Sequence, residues 1–167
     1  MKKLFTLVMI FSFITSVLLA NSIELGSPAP KLKVFTDQGT TLNLGETLST
    51  GTTLVFFYPK AMTPGCVKQA CSLRDGWDEL QARDVKILGV SSDTTKTQAQ
   101  FRDKYTLPFT LLADTDGKIA DAFSKGRWSR QAYLFRDGIL VWRDLKAATS
   151  KQATEVLAAL DELKLSS

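Results

Sequence analysis

The run Thr53-Leu-Val-Phe-Phe-Tyr58, halted by Pro59, constrains the fold more than any other stretch of this 167-residue chain. It carries no charge and is rich in β-branched and aromatic side chains, which suits a strand covered on both faces. Such a strand needs a neighbour on each edge and a layer on each face. Thr63-Pro64 then opens a helix, with Thr at the N-cap and Pro at the first helical position, and the helix reads on to about Ala82. Residues 85–90 form the next strand and 94–105 a helix closed by Pro108. Residues 109–112 read as a short strand, Asp116-Gly117 as a turn and 118–123 as a short helix. Ahead of the apolar run, Leu32, Val34 and residues 41–44 flank Asp37-Gln38-Gly39 and read as a small hairpin. Residues 132–135 and 139–142 flank Asp137-Gly138, a second hairpin. Thr149-x-x-Gln152 has the form of a capping box, and Ala153, Val156, Leu157, Leu160 and Leu163 make one apolar stripe behind it, which reads as core packing. The expectation is a single α/β domain over 21–167, a central mixed sheet flanked by helices, with an N-terminal hairpin.

The chain has no histidine and only two cysteines. That excludes Ser-His-Asp and Cys-His catalysis, zinc sites that use His, Cys-only zinc sites and ordinary iron–sulfur sites. Chemistry must rest on thiols, carboxylates, Lys, Arg or hydroxyls. The formal net charge of +4 is no sign of nucleic-acid binding: Lys2 and Lys3 account for two of those charges, leaving +2, and the remaining Lys and Arg form no basic run.

Lys2 and Lys3 begin a segment with the layout of a secretory signal. The stretch 4–20 is apolar apart from Thr6, Ser12, Thr15 and Ser16, and small residues close it, with cleavage expected after Ala20 or Ser22. The competing reading is an uncleaved anchor, since an apolar run of about 17 residues lies at the lower edge of a membrane span. Both place the domain outside the cytoplasm, in the periplasm of a Gram-negative cell, where disulfides persist.

Cys66 sits in the first turn of the helix that Thr63-Pro64 opens. The free N–H groups and the dipole there favour a thiolate. Thr63 can offer a hydroxyl to the sulfur or to its substrate, and Gly65 allows close approach. Any cation beside the sulfur must be Arg or Lys. Cys71 follows five residues on. On an intact helix that spacing separates the Cα atoms by about 8–9 Å on different faces, whereas a disulfide requires less than about 7 Å. Three readings compete: a structural staple, a dithiol exchanging disulfides with other proteins, and a thiol that a small oxidant converts to a sulfenic acid, resolved by Cys71 after local unwinding.

The segment Tyr58-Pro59-Lys60-Ala61-Met62-Thr63-Pro64-Gly65-Cys66-Val67-Lys68-Gln69-Ala70-Cys71-Ser72-Leu73-Arg74-Asp75 resembles the active-site stretch of peroxiredoxins of the bacterioferritin-comigratory, or PrxQ, type, roughly Y-P-K-x-x-T-P-G-C-T-x-E-A-C-x-F-R-D. Val90-Ser91-Ser92-Asp93, Leu107-Pro108-Phe109, Leu112-Ala113-Asp114 and Arg130-x-x-Tyr133-Leu134-Phe135 extend the likeness over nearly all of the chain from about Gly26. The resemblance implies a thioredoxin-like fold and thiol-dependent reduction of hydrogen peroxide and organic hydroperoxides. Cys66 matches the peroxidatic cysteine, Cys71 the resolving one, Thr63 and Pro64 the pocket pair and Arg130 the activating arginine. The spacing to Tyr133-Leu134 favours Arg130 over Arg127. The chain departs from the pattern at Gln69, where Glu is usual, at Val67 for Thr, at Ala61 and Met62, and at Gln98, where His is common. The resemblance further implies a dithiol reductant of thioredoxin type, no cofactor or metal, no nucleic-acid or stable membrane partner, and a monomer, with a weak dimer as the alternative. The competing function is an exported oxidoreductase acting on protein disulfides. Trp77, Trp128 and Trp142 read as packing or rim residues, and Asp114 with Asp116 as a turn.

Overall fold

A computed structural model describes residues 23–126 and 128–165; the proposed export signal and Arg127 lie outside them. The apolar run forms β3 (Thr52–Phe57). It pairs in parallel with β4 (Val85–Ser91) on one edge and antiparallel with β6 (Gln131–Arg136) on the other. Alternation along β3 sends Leu54, Phe56 and Tyr58 to one side of the sheet and Val55 and Phe57 to the other, each into a buried cluster. β5 (Thr110–Ala113) continues the parallel set, β1 (Lys33–Thr36) and β2 (Thr41–Asn43) form the expected hairpin, and β7 (Ile139–Asp144) closes the far edge. The sheet order is β2-β1-β5-β4-β3-β6-β7. A mixed sheet with helices on both faces is the α/β architecture expected.

Helix α1 (Leu44–Leu48) was not expected: Leu44 reads as the end of a strand, yet it opens this turn, with the Asn43 side chain accepting from the Glu46 N–H. The helix expected to reach Ala82 is two, α2 (Pro64–Asp75) and α3 (Trp77–Gln81), broken at Gly76. A Cβ on Gly76 would stand 2.7 Å from the Ala153 methyl, so close packing by the C-terminal helix favours the break. Helices α4 (Thr95–Tyr105) and α5 (Lys118–Ala122) lie where the sequence places them. The last helix, α6 (Gln152–Leu165), begins later than the capping box implies, because Gln152 turns into the core instead of back on Thr149. Its Ala153, Val156 and Leu160 are buried, as the stripe predicts.

Asp114 accepts the N–H groups of Ile119 and Ala120 and so caps α5, the turn role expected of it. Beside it Lys125 is buried, its ammonium donating to the Gly126 carbonyl at 2.9 Å and lying 5.0 Å from the centre of the Phe57 ring. Burial pushes the Lys125 amine down to about 8, with Asp114 pulling the other way. Between pH 8 and the ordinary lysine range near 10.5, the folded protein therefore holds this site neutral while the unfolded chain holds it charged, and raising pH favours the folded state. Urea unfolding of the wild type and Lys125→Met across that window is expected to show the wild type gaining stability relative to the variant as pH rises. A constant difference would refute a buried, depressed amine.

Candidate active site

The end of β3 delivers the chain into a loop that is fastened before α2 begins. The Ala61 N–H donates to Asp93 Oδ2 at 2.7 Å, and the same oxygen accepts from Ser91 Oγ at 2.7 Å. Met62 takes a positive φ of 65°. Thr63 holds the N-cap position in extended conformation, but its hydroxyl donates to the Lys60 carbonyl at 2.9 Å and makes no capping bond to the helix. Pro64 fills the first helical position, as expected. The first-turn amides, those of Gly65 and Cys66 among them, have no intrahelical acceptor and point toward the start of the helix.

Cys66 is 1% exposed, on the side of α2 that faces the core. Antiparallel pairing matches Phe57 with Gln131, so the start of β6 stands beside the end of β3, and Arg130, just ahead of β6, comes to the thiol. Arg130 Nη2 donates to Cys66 Sγ at 3.5 Å, while its Nη1 donates to Gln69 Oε1. The approach depends on Gly65: a Cβ there would stand 3.2 Å from Nη2 and 3.6 Å from the Thr149 methyl. Gln69 is fully buried and passes the chain on, its Nε2 donating to Gln152 Oε1 at 2.8 Å. Among the described residues no carboxylate forms an ion pair with Arg130. A neutral amide thus fixes the guanidinium without cancelling its charge, which is directed at the sulfur. The arrangement can hold a thiolate and stabilise negative charge on an atom leaving it.

The structure therefore brings Cys66, Thr63, Pro64 and Arg130 together across 64 residues of sequence. Cys71 is a second free thiol, half-buried further along the intact α2, where helix geometry keeps its Cα about 8–9 Å from that of Cys66. Trp77 packs against Phe109 with ring centres 6.2 Å apart, and Trp128 is exposed. Among the described residues no cluster of Cys, Asp and Glu could hold a metal ion, and no helix is long and apolar enough to cross a membrane. A cavity of about 220 Å³ opens beside α5, lined by Tyr58, Ser91, Asp114 and Lys125, and no thiol lines it.

Sequence reasoning missed two supports. One is Gln152, legible only as a helix-start residue. The other is the Tyr58–Gln98 pair: burial pushes the Tyr58 hydroxyl well above the ordinary tyrosine range, so it stays a donor and bonds Gln98 Oε1. Gln98 Nε2 in turn reaches Ser91 Oγ at 3.0 Å and the Leu112 carbonyl at 2.8 Å, which ties α4 to the ends of β4 and β5.

Residues 25–143 match the AhpC/TSA family. The chain is 40% identical over 121 residues to Peroxiredoxin Bcp of Escherichia coli K12, an overlap covering 71% of this chain and 76% of that one. It is 41% identical over 102 residues to Peroxiredoxin Bcp of Bacillus subtilis, covering 61% and 64%. Among solved structures, peroxidoxin BcpB of Mycobacterium tuberculosis superposes with a TM-score of 0.77 at 28% identity, over 84% of this chain and 97% of that one. The bacterioferritin comigratory protein of Xanthomonas campestris does so with 0.73 at 27%, over 78% and 90%.

Proposed function

Since the chain belongs to the AhpC/TSA family, as a thioredoxin-fold peroxiredoxin of the Bcp/PrxQ type and so a thiol-dependent peroxidase, we propose that Cys66 attacks the peroxide and that Cys71 resolves the product. The observation that carries this reading is the Arg130 guanidinium, 3.5 Å from a buried sulfur in the first turn of α2 and held by a neutral amide. The Cys66 thiolate attacks one peroxide oxygen: an S–O bond forms, the O–O bond breaks, and the electron pair leaves on the second oxygen. Arg130 and the first-turn amides stabilise that departing charge before it takes a proton. The Thr63 donor is spent on Lys60, so its lone pairs are what remain to accept from the peroxide hydroxyl and orient it. Cys66 is left as a sulfenic acid. Unwinding of the first turns of α2 brings the Cys71 thiol to it; the S–S bond forms and water leaves. An external dithiol then reduces the disulfide.

Hydrogen peroxide and organic hydroperoxides are the proposed substrates. The Xanthomonas campestris relative has alkyl peroxide reduction activity, and the mechanism asks only for an O–O bond that reaches the sulfur. A thioredoxin-like dithiol is the proposed reductant, the protein is proposed to act as a monomer, and the charged, apolar and small-residue layout of its first twenty residues supports export.

The test is a thiol count after one equivalent of hydrogen peroxide is added to the reduced protein, with intact mass followed over seconds. Rapid loss of both thiols with loss of two hydrogens is expected. Loss as slow as that of free cysteine would overturn the reading and favour action on protein disulfides.

Gly65→Ala isolates the role of Arg130. Alanine adds up to about 1 kcal/mol of helix propensity over glycine, yet its methyl enters the space the guanidinium uses. The expected result is a thermal midpoint close to that of the wild type, the helix gain offset by a loosened Arg130–Gln69 bond, with Cys66 oxidation slowed about tenfold, the scale of one weakened charge-assisted hydrogen bond, measured by stopped-flow fluorescence.

A further inference from the structure

Gln69 lies inside the segment between Cys66 and Cys71 that has to unwind, and its amide is engaged at both ends. Arg130 offers only donors, so Gln69 must turn its oxygen toward it. That turns the Gln69 nitrogen toward Gln152, and Gln152 must then answer with its oxygen. Gln152 is fully buried, and its Nε2 is left with no hydrogen-bond partner. The orientation of two amides, on α2 and α6, thus follows from one guanidinium, and among the described residues the bond from Gln69 is the one the buried Gln152 side-chain amide makes.

A second set of ties lies beyond Cys71. The Ser72 hydroxyl accepts the Ala153 N–H at 3.2 Å, and Gly76 receives the Ala153 methyl. These ties hold the later part of α2 to the start of α6 and can persist while residues 64–71 unwind. The Gln69–Gln152 bond cannot, because Gln69 sits within the unwinding stretch.

We propose that Gln152 is a positioning residue and latch: through Gln69 it holds Arg130 against Cys66, and it keeps residues 64–71 helical until the sulfur is oxidised. This rests on the assignment of Cys66 and Cys71 as attacking and resolving thiols. Two consequences oppose each other. While the latch is closed, Arg130 is aligned and attack on peroxide is fast. Opening it leaves a buried amide without its partner, which slows the approach of Cys71 and lengthens the life of the sulfenic acid. In excess peroxide, that lifetime sets how much sulfenic acid is oxidised further to sulfinic acid, a second peroxide giving up one oxygen and leaving as alcohol or water.

The test uses the full-length protein and rapid mixing with hydrogen peroxide, resolving Cys66 oxidation from disulfide formation, with mass spectrometry of Cys66 after excess peroxide. Gln152→Met keeps the volume and removes the acceptor. Relative to wild type it is expected to slow the first phase severalfold, to speed disulfide formation by about tenfold, the fold-change that one buried hydrogen bond carries, and to yield less sulfinic acid. Gln152→Glu, which keeps an acceptor toward Gln69, is expected to slow disulfide formation back toward the wild-type rate. In a Gln69→Met background, Gln152→Met is expected to change neither phase further. A disulfide-forming phase within twofold of wild type, or one slowed together with the first, overturns the proposal, as does an undiminished effect in the Gln69→Met background. Should Gln152→Met fail to fold, Gln69→Met alone opens the latch from the other side and must speed disulfide formation, or the proposal falls. If the wild type itself fails to lose both thiols, it is the assignment of the cysteines that fails.

Discussion

Cys66→Ser is expected to reduce peroxide consumption to that of buffer, while Cys71→Ser completes one turnover and then stalls. The difference follows from chemistry and placement together. A serine hydroxyl in the first turn of α2 stays protonated near neutral pH and is a poor nucleophile toward an O–O bond, whereas the thiolate is the reactive form of Cys. The half-buried Cys71 lies on the intact α2, out of bonding distance of Cys66, so its loss leaves the first step untouched. In Cys71→Ser the sulfenic acid should persist long enough to be trapped by a dione reagent and seen as one adduct by intact mass. Peroxide consumption by Cys66→Ser at the wild-type rate would remove Cys66 from the mechanism. Loss of the first turnover in Cys71→Ser would reverse the roles of the two thiols.

Arg130→Met carries the other large effect. Arg130 Nη2 is 3.5 Å from Sγ, and with no histidine in the chain the site has no imidazolium to take its place. Removing one preorganised donor from a site of developing negative charge costs about 10²- to 10³-fold in rate, and that is the loss expected in the Cys66 oxidation phase. Stability should fall too, by about 1–3 kcal/mol, because the buried Gln69 Oε1 loses its donor. Arg130→Lys should recover little of the rate: an ammonium is a single point of charge and cannot serve the sulfur and the amide oxygen together as a fork can. A rate within threefold of wild type in Arg130→Met would mean that the helix start alone activates Cys66.

Much of the fold was readable because its signals are local. The continuous apolar run of β3, the Thr63-Pro64 helix start and the Asp137-Gly138 turn each express preferences of residues a few positions apart, and the elements stand where those preferences put them. Two of the misreadings share one cause. Gly76 reads as a tolerable residue inside a helix until Ala153 arrives from the far end of the chain and makes the break favourable. Thr149 and Gln152 have the spacing of a capping box, but Gln69 gives Gln152 a better partner inside. The third, at Leu44, is local: Asn43-x-x-Glu46 is itself a helix-start signal, and reading 41–44 as one strand passes over it.

The site divides the same way. By itself the sequence marked out Cys66 as the candidate nucleophile, because a cysteine in the first helical turn behind a Thr-Pro pair has free backbone N–H groups beside its sulfur whatever the rest of the chain does. It determined as well that Cys66 and Cys71 cannot bond on an intact helix, because helix pitch sets their separation. The tertiary structure alone decided where the Thr63 hydroxyl points and that Gln69 leans on Gln152, and it set against the sulfur the Arg130 that only the family resemblance had singled out among the Lys and Arg residues. Those are choices among hydrogen-bond partners far apart in the chain, and a polar side chain carries no record of its partner until the backbone has closed around both.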